Sequence, residues 1–168
     1  FPAALTSLRL NRWAPPPGSS SAVRFPSGLR ELDISANEYA HELTLPDSIT
    51  SFTLNARCIE HIRWPQQLQT LKLVRDAAVG TFLRWSPPSS LTELILPSSW
   101  NEPLTQLILS HSLRSLIFGW NFNQSLSGFA FPPFLSQLDL GNHFNHSLSS
   151  DEWTPPPQLS SLSLSIQW

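Results

Sequence analysis

A chain of 168 residues is long enough to bury a substantial core as one domain. A net charge of -2 gives no reason to expect nucleic acid or an anionic membrane as partner, and only 13% of the residues are charged, about half the ordinary share. With 16 Pro against 6 Gly, long helices are not expected, and the single cysteine, Cys58, excludes an internal disulfide and a cysteine-rich metal site.

The elements follow one pattern from the first residues onward, an aliphatic triplet spaced x-L-x-x-L-x-L. In chain order the triplets begin with Leu5, Leu8, Leu10; then Leu29, Leu32, Ile34; then Ile49, Phe52, Leu54. They continue through Leu68, Leu71, Leu73 and Leu91, Leu94, Leu96, and then Leu113, Leu116, Phe118. Leu135, Leu138, Leu140 and Leu159, Leu162, Leu164 complete the set. Successive triplets are 19 to 24 residues apart. That gives about eight units, beginning near residues 2, 26, 46, 65, 88, 110, 132 and 156.

Within each triplet the last two apolar positions alternate with polar ones, which is strand periodicity. A strand of three to five residues in so short a cycle leaves no room for a strand–helix–strand unit with a long helix. Each unit is therefore expected to be one coil of a mainly β solenoid, with short parallel strands stacked on one face. The return segments should be extended or 3₁₀, with little or no α-helix. In seven of the eight units a proline precedes the first aliphatic residue by three: Pro2, Pro26, Pro46, Pro65, Pro88, Pro132 and Pro156. Ser110 is the exception. Because proline fixes φ and extends its predecessor, each unit enters its strand from a stiff corner, and an apolar residue such as Phe1, Phe25, Leu45, Trp64 or Phe131 beside it can point inward.

Beyond the strand, the later units add Trp100-Asn101, Phe122-Asn123 and Phe144-Asn145, each followed in register by Leu104, Leu126 and Leu148. The expectation is a structural ladder. The aromatic fills the far side of the coil, and the amide satisfies backbone groups at the bend. Earlier units fit less well, with Tyr39-Ala40, Cys58-Ile59 and Ala77-Ala78 near that place, and the first diverts through Pro15 to Ser21 as a surface excursion. Cys58 reads as a small buried apolar side chain. Trp64 and Trp100 fall on interior positions, whereas Trp13, Trp85, Trp120, Trp153 and Trp168 fall in turns or at the end.

Those later units resemble FNIP repeats, a 22-residue branch of the leucine-rich-repeat superfamily. The resemblance is carried by Phe118-Gly119, Phe122-Asn123-Gln124-Ser125-Leu126, Pro132, Leu135, Leu138, Leu140-Gly141 and Phe144-Asn145-His146-Ser147-Leu148, and it covers about residues 96–164. It implies a curved solenoid and a protein-binding role, sometimes beside an F-box in ubiquitin-ligase adaptors; no F-box-like helical segment is present here.

Chemistry-bearing motifs are sparse. Asn123-Gln124-Ser125 and Asn145-His146-Ser147 are glycosylation sequons, but the 22-residue register explains both Asn as ladder positions inside the coil. His143 and His146 are spaced H-x-x-H, without a carboxylate or cysteine nearby and on a turn rather than a helix, so no metal is expected. His41, His61 and His111 are scattered elsewhere. There is no G-x-S-x-G elbow and no phosphate loop, so neither catalysis nor a cofactor is expected. Residues 115–138 carry no charge, but Asn, Gln, several Ser and Pro132-Pro133 disqualify them as a membrane span.

Binding is instead expected on the strand face. The outward residue between the last two apolar positions of each unit runs Arg9, Asp33, Thr53, Lys72, Ile95, Ile117, Asp139, Ser163. Ile95 and Ile117 form an apolar spot flanked by Lys72 and Asp139, although β propensity alone also accounts for the isoleucines. Residues 103–168 hold only four charged side chains, Arg114, Asp139, Asp151 and Glu152, and interfaces are depleted in charge. Neither end reads as a polar cap, and the chain starts at Phe1 without any Met, so the expectation is one repeat domain over 1–168 forming a segment of a larger protein or complex.

The leading function is a non-catalytic scaffold for other proteins. The alternative is a structural accessory subunit permanently docked in a large assembly, for example an organellar membrane complex of a protist or alga, through the charge-poor half or the uncapped ends. Carbohydrate binding lacks a clustered Asp/Asn/Trp arrangement. A soluble, intracellular or organellar location is favoured over secretion.

Overall fold

A computed structural model describes residues 1–13, 24–36, 44–55, 62–74, 86–150 and 153–164. Every aliphatic triplet supplies one strand: β1 (Ser7–Trp13), β2 (Glu31–Ala36), β3 (Ser51–Asn55), β4 (Thr70–Leu73), β5 (Glu93–Ile95), β6 (Ser115–Ile117), β7 (Gln137–Asp139) and β8 (Ser161–Ser163). They form a single eight-stranded sheet in sequence order, parallel at every step. The only helical element among the described residues is a 3₁₀ turn at Leu104–Gln106, in a return segment. The sheet is the coil stack expected from the period. Two strands differ in length: β1 has seven residues and β2 six, rather than three to five. β1 gains its extra length across an irregularity between Leu10 and Trp13, where Arg12 takes φ 53°, a left-handed conformation that bends the strand.

The register follows the triplets. Leu32 pairs with Phe52, Phe52 with Leu71, Leu71 with Leu94, Leu94 with Leu116, and Leu116 with Leu138. A fixed two-residue alternation thereby converts a sequence pattern into continuous aliphatic rows inside the stack. From Leu29 through Leu140 the triplet residues are all buried. The rows loosen at the two outer strands, which have a neighbouring coil on one side: Leu8 and Leu10 are partly covered and Leu162 is 39% exposed.

The corner before each strand has a simpler chemical basis than proline stiffness alone. The N–H of the first aliphatic donates to the carbonyl three residues back in all eight units, from Leu5 to Pro2 at 3.2 Å through Leu159 to Pro156 at 3.0 Å. The proline is the first residue of a β-turn, a position where its own missing N–H is not called upon. Ser110 keeps the same bond, accepting from Leu113 at 3.1 Å, and its hydroxyl adds a contact to Ser112 N at 3.3 Å. Of the apolar residues beside these corners, Leu45 is buried and Phe25, Trp64 and Phe131 are partly covered. Phe1 differs from the inward expectation: it is 61% exposed, with its ring stacked on Phe25.

Serine and threonine knit successive coils together. One carbonyl accepts two consecutive N–H groups of the next coil at each step, as Thr6 does from Arg30 and Glu31, and Ser136 from Ser160 and Ser161. Ser48 and Ser90 donate their hydroxyls to Leu29 and Leu68 carbonyls at 2.7 Å, and Thr92, Ser136 and Ser160 make the same kind of bond at 3.1–3.2 Å.

Candidate interaction surface and the aromatic–amide ladder

The strand face is set by the same register. Arg9 lies beside Asp33, Asp33 beside Thr53, Thr53 beside Lys72, Lys72 beside Ile95, Ile95 beside Ile117, and Ile117 beside Asp139. Ile95 and Ile117 are partly exposed neighbours, and Lys72 is exposed with no ion pair among the described residues. Asp139 is less available than its position implies, because its Oδ1 accepts the Gly141 N–H at 2.9 Å. At the other end of the face Arg9 Nε donates to Asp33 Oδ2 at 2.9 Å, so those two charges neutralise each other. Such an exposed pair contributes about 0–1 kcal/mol to stability.

At the far bend the aromatics of three coils stack. Trp100 lies 5.5 Å from Phe122 at 22°, and Phe122 lies 6.0 Å from Phe144 at 15°, with Phe118 4.0 Å from Phe122. Trp100, Phe122 and Phe144 are all buried, and Leu104 and Leu126 are buried beneath them. Offset stacking of this kind adds about 0.5–1.5 kcal/mol per pair beyond the area removed from water.

The amides run alongside. Asn101 Oδ1 accepts the Asn123 N–H at 2.8 Å, and Asn123 Oδ1 accepts the Asn145 N–H at 3.0 Å. Each side chain therefore serves one backbone donor of the next coil. The sequence reading placed the Asn residues inside the coil, and here the structure differs. Asn101 and Asn145 are exposed and Asn123 is half-buried, which places the amides on the rim of the bend. Gln124 Nε2 reaches back to the Asn101 carbonyl at 2.9 Å, and His146 Nε2 lies 3.2 Å from the Asn123 carbonyl, so the residue after the Asn repeats the contact.

Two glycines let the coils close up at this bend. A Cβ on Gly119 would fall on the backbone of Pro97 and Ser98, and one on Gly141 would fall on the Gly119 carbonyl. Gly141 also has φ +73°, where an L side chain is strained.

The two histidines of the H-x-x-H spacing make separate contacts. His143 Nε2 accepts the Trp120 indole N–H at 3.1 Å while His146 turns to the backbone. Among the described residues no group of three or more His, Cys, Asp or Glu is gathered. Trp153, placed by the sequence in a turn or at the end, is 8% exposed and belongs to the core. The indole N–H groups of Trp100 and Trp153 are buried without a partner among the described residues. Cys58, Tyr39-Ala40, Ala77-Ala78, His41, His61, Trp85, Trp168, Asp151, Glu152 and residues 15–21 lie outside the described residues, as does the side chain of Trp13. Among the described residues no helix is long and apolar enough to cross a membrane.

Comparison with known proteins agrees with this geometry. The FNIP repeat matches residues 100–143, the span that holds the stacked Trp100, Phe118 and Phe122, the Asn101–Asn123 contact and both close-packed glycines. No curated protein matches the chain. Among solved structures, the chain is similar to CroV588, described as a novel circular LRR protein, with a TM-score of 0.57 and 23% sequence identity over 83% of this chain. The match spans 24% of CroV588, about a quarter of its length. With its stacked parallel strands and aliphatic triplets the chain has a leucine-rich-repeat-like fold, and its residues 100–143 match the FNIP repeat.

Proposed function

We propose that the chain is a non-catalytic protein–protein interaction scaffold whose recognition surface is the strand face around Ile95 and Ile117. The observation that carries this reading is the adjacency of two partly exposed isoleucines, paired in register, on a face whose other outward residues are polar or charged. Isolated apolar residues are ordinary on a surface, but a contiguous spot within a polar ladder is what a binding surface presents. Residues 1–168 act as one domain in this reading, supported by the unbroken sheet.

The test is affinity capture from the natural host with the chain and with its Ile95→Asp/Ile117→Asp variant, proteins being identified by mass spectrometry. Loss of a specific captured protein, with the variant still folded, is the expected result. Equal capture by both would rule out the strand face. A second reading, a structural subunit built permanently into an assembly, is favoured by the exposed Ile108, Trp120 and Phe134, which lie off the strand face in the charge-poor half. It predicts that the Ile variant keeps its partner while changes at Trp120 and Phe134 lose it.

A further inference from the structure

We propose that the strand face is self-complementary and pairs with a second copy of this chain, placing Lys72 of each copy against the partner's Asp139. The inference rests on the strand face being the recognition surface. It adds the identity of one occupant, read from the order of charges along the row.

Register puts Lys72, Ile95, Ile117 and Asp139 side by side on four neighbouring strands. With strands about 4.8 Å apart, Lys72 and Asp139 are roughly 14 Å apart and equidistant from the midline between the two isoleucines. Two identical faces meet through a two-fold axis lying in their interface. An axis parallel to the strands at that midline reverses the row. Ile95 then lands on the partner's Ile117, Lys72 on the partner's Asp139, and Thr53 on the partner's Ser163.

In the adjoining outward row the same operation sets Glu93 against the partner's Ser115, so no like charges oppose each other within the overlap. The other in-plane axis, along the stack, sets Lys72 on its own copy and Asp139 on its own copy, which is repulsive twice over. The charge order therefore selects one geometry. Lys72 has no ion pair among the described residues, and Asp139 commits only Oδ1 to Gly141, leaving Oδ2 for an ammonium. Arg9 and Asp33 fall outside the overlap and already pair within one copy. An overlap of six short strands is small beside the ~1,200 Å² at the lower edge of standard interfaces, so the association is weak.

The test is sedimentation velocity of the 168-residue chain at concentrations up to the order of 100 µM, the range set by so small an interface. The expected result is a reversible dimer. Lys72→Asp or Asp139→Lys alone weakens it by roughly tenfold or more, because each replaces two attractive contacts with two repulsive ones. Mixing the two single variants restores association, since the reversed charges are then complementary, and this also establishes that both variants are folded. The double variant Lys72→Asp/Asp139→Lys self-associates again.

A chain that stays monomeric throughout, association indifferent to either single reversal, or a mixture that fails to associate each overturns the proposal. A monomeric chain that still captures another protein through Ile95 and Ile117 overturns self-pairing alone and leaves the scaffold reading intact.

Discussion

The side-chain oxygen of Asn123 accepts the backbone N–H of Asn145 at 3.0 Å, one repeat further along the chain. The bond answers why a Phe-Asn pair recurs at 22 residues: the interval is one turn of backbone, and the amide of one turn finishes the bend of the next.

Asn123→Ala leaves the Asn145 N–H without its acceptor, and the expected loss is about 1 kcal/mol, since water reaches the rim and replaces part of the bond. Thermal unfolding should fall by about 2–4 °C. Asn145→Ala removes an acceptor for which no donor exists among the described residues, so its effect should be smaller. Equal shifts for the two variants would show that the amide contact does not stabilise the stack.

Gly141→Ala and Gly128→Ala separate backbone strain from collision. Both glycines have positive φ, +73° and +70°, but a Cβ at 128 enters open space while one at 141 meets the Gly119 carbonyl. Gly128→Ala should lose about 1–2 kcal/mol from the left-handed conformation alone. Gly141→Ala should lose distinctly more, because the coils must move apart. Urea denaturation of the pair checks the order.

Phe122→Ala empties a fully buried site between Trp100 and Phe144 and should destabilise the chain by about 3–5 kcal/mol. Trp100→Phe behaves differently. It gives up volume but also removes a buried indole N–H with no partner among the described residues, a group whose burial is unfavourable by about 1–3 kcal/mol. The two effects offset, and a change within about 1 kcal/mol is expected by denaturant titration.

Ile95→Asp/Ile117→Asp should leave the fold nearly intact, because both side chains face outward and neither lies in the core. A loss of less than about 2 kcal/mol is expected for the double variant. A larger loss in thermal unfolding would mean that the isoleucines hold the sheet together, and capture experiments with that variant would then report unfolding.

Pro132→Ser keeps the turn carbonyl that Leu135 N–H requires but frees the unfolded chain, so a loss of about 0.4–1 kcal/mol is expected. Ser110 already makes the equivalent turn without proline, which is why the substitution should be tolerated. An unfolding midpoint lowered by more than about 5 °C would show that the ring itself packs a site the carbonyl does not account for.

The eight strands, their parallel order and their inward and outward residues were legible from spacing alone. A two-residue alternation inside a cycle of about 22 residues leaves the backbone few ways to bury its aliphatic positions, and stacking satisfies all of them at once. The proline corner was visible as a spacing of three, yet its carbonyl bond was not, because a missing donor is conspicuous in a sequence and an acceptor is not.

Tertiary structure decided the rest. It set the amides on the rim rather than in the interior, drew Trp153 into the core, and tied Asp139 to Gly141. It also made Gly141 answer to Gly119, a residue one coil away. Periodicity fixes which residues share a row, since that depends only on the backbone repeat. Exposure and partners depend on how closely neighbouring coils approach, a distance that exists only once the stack has formed.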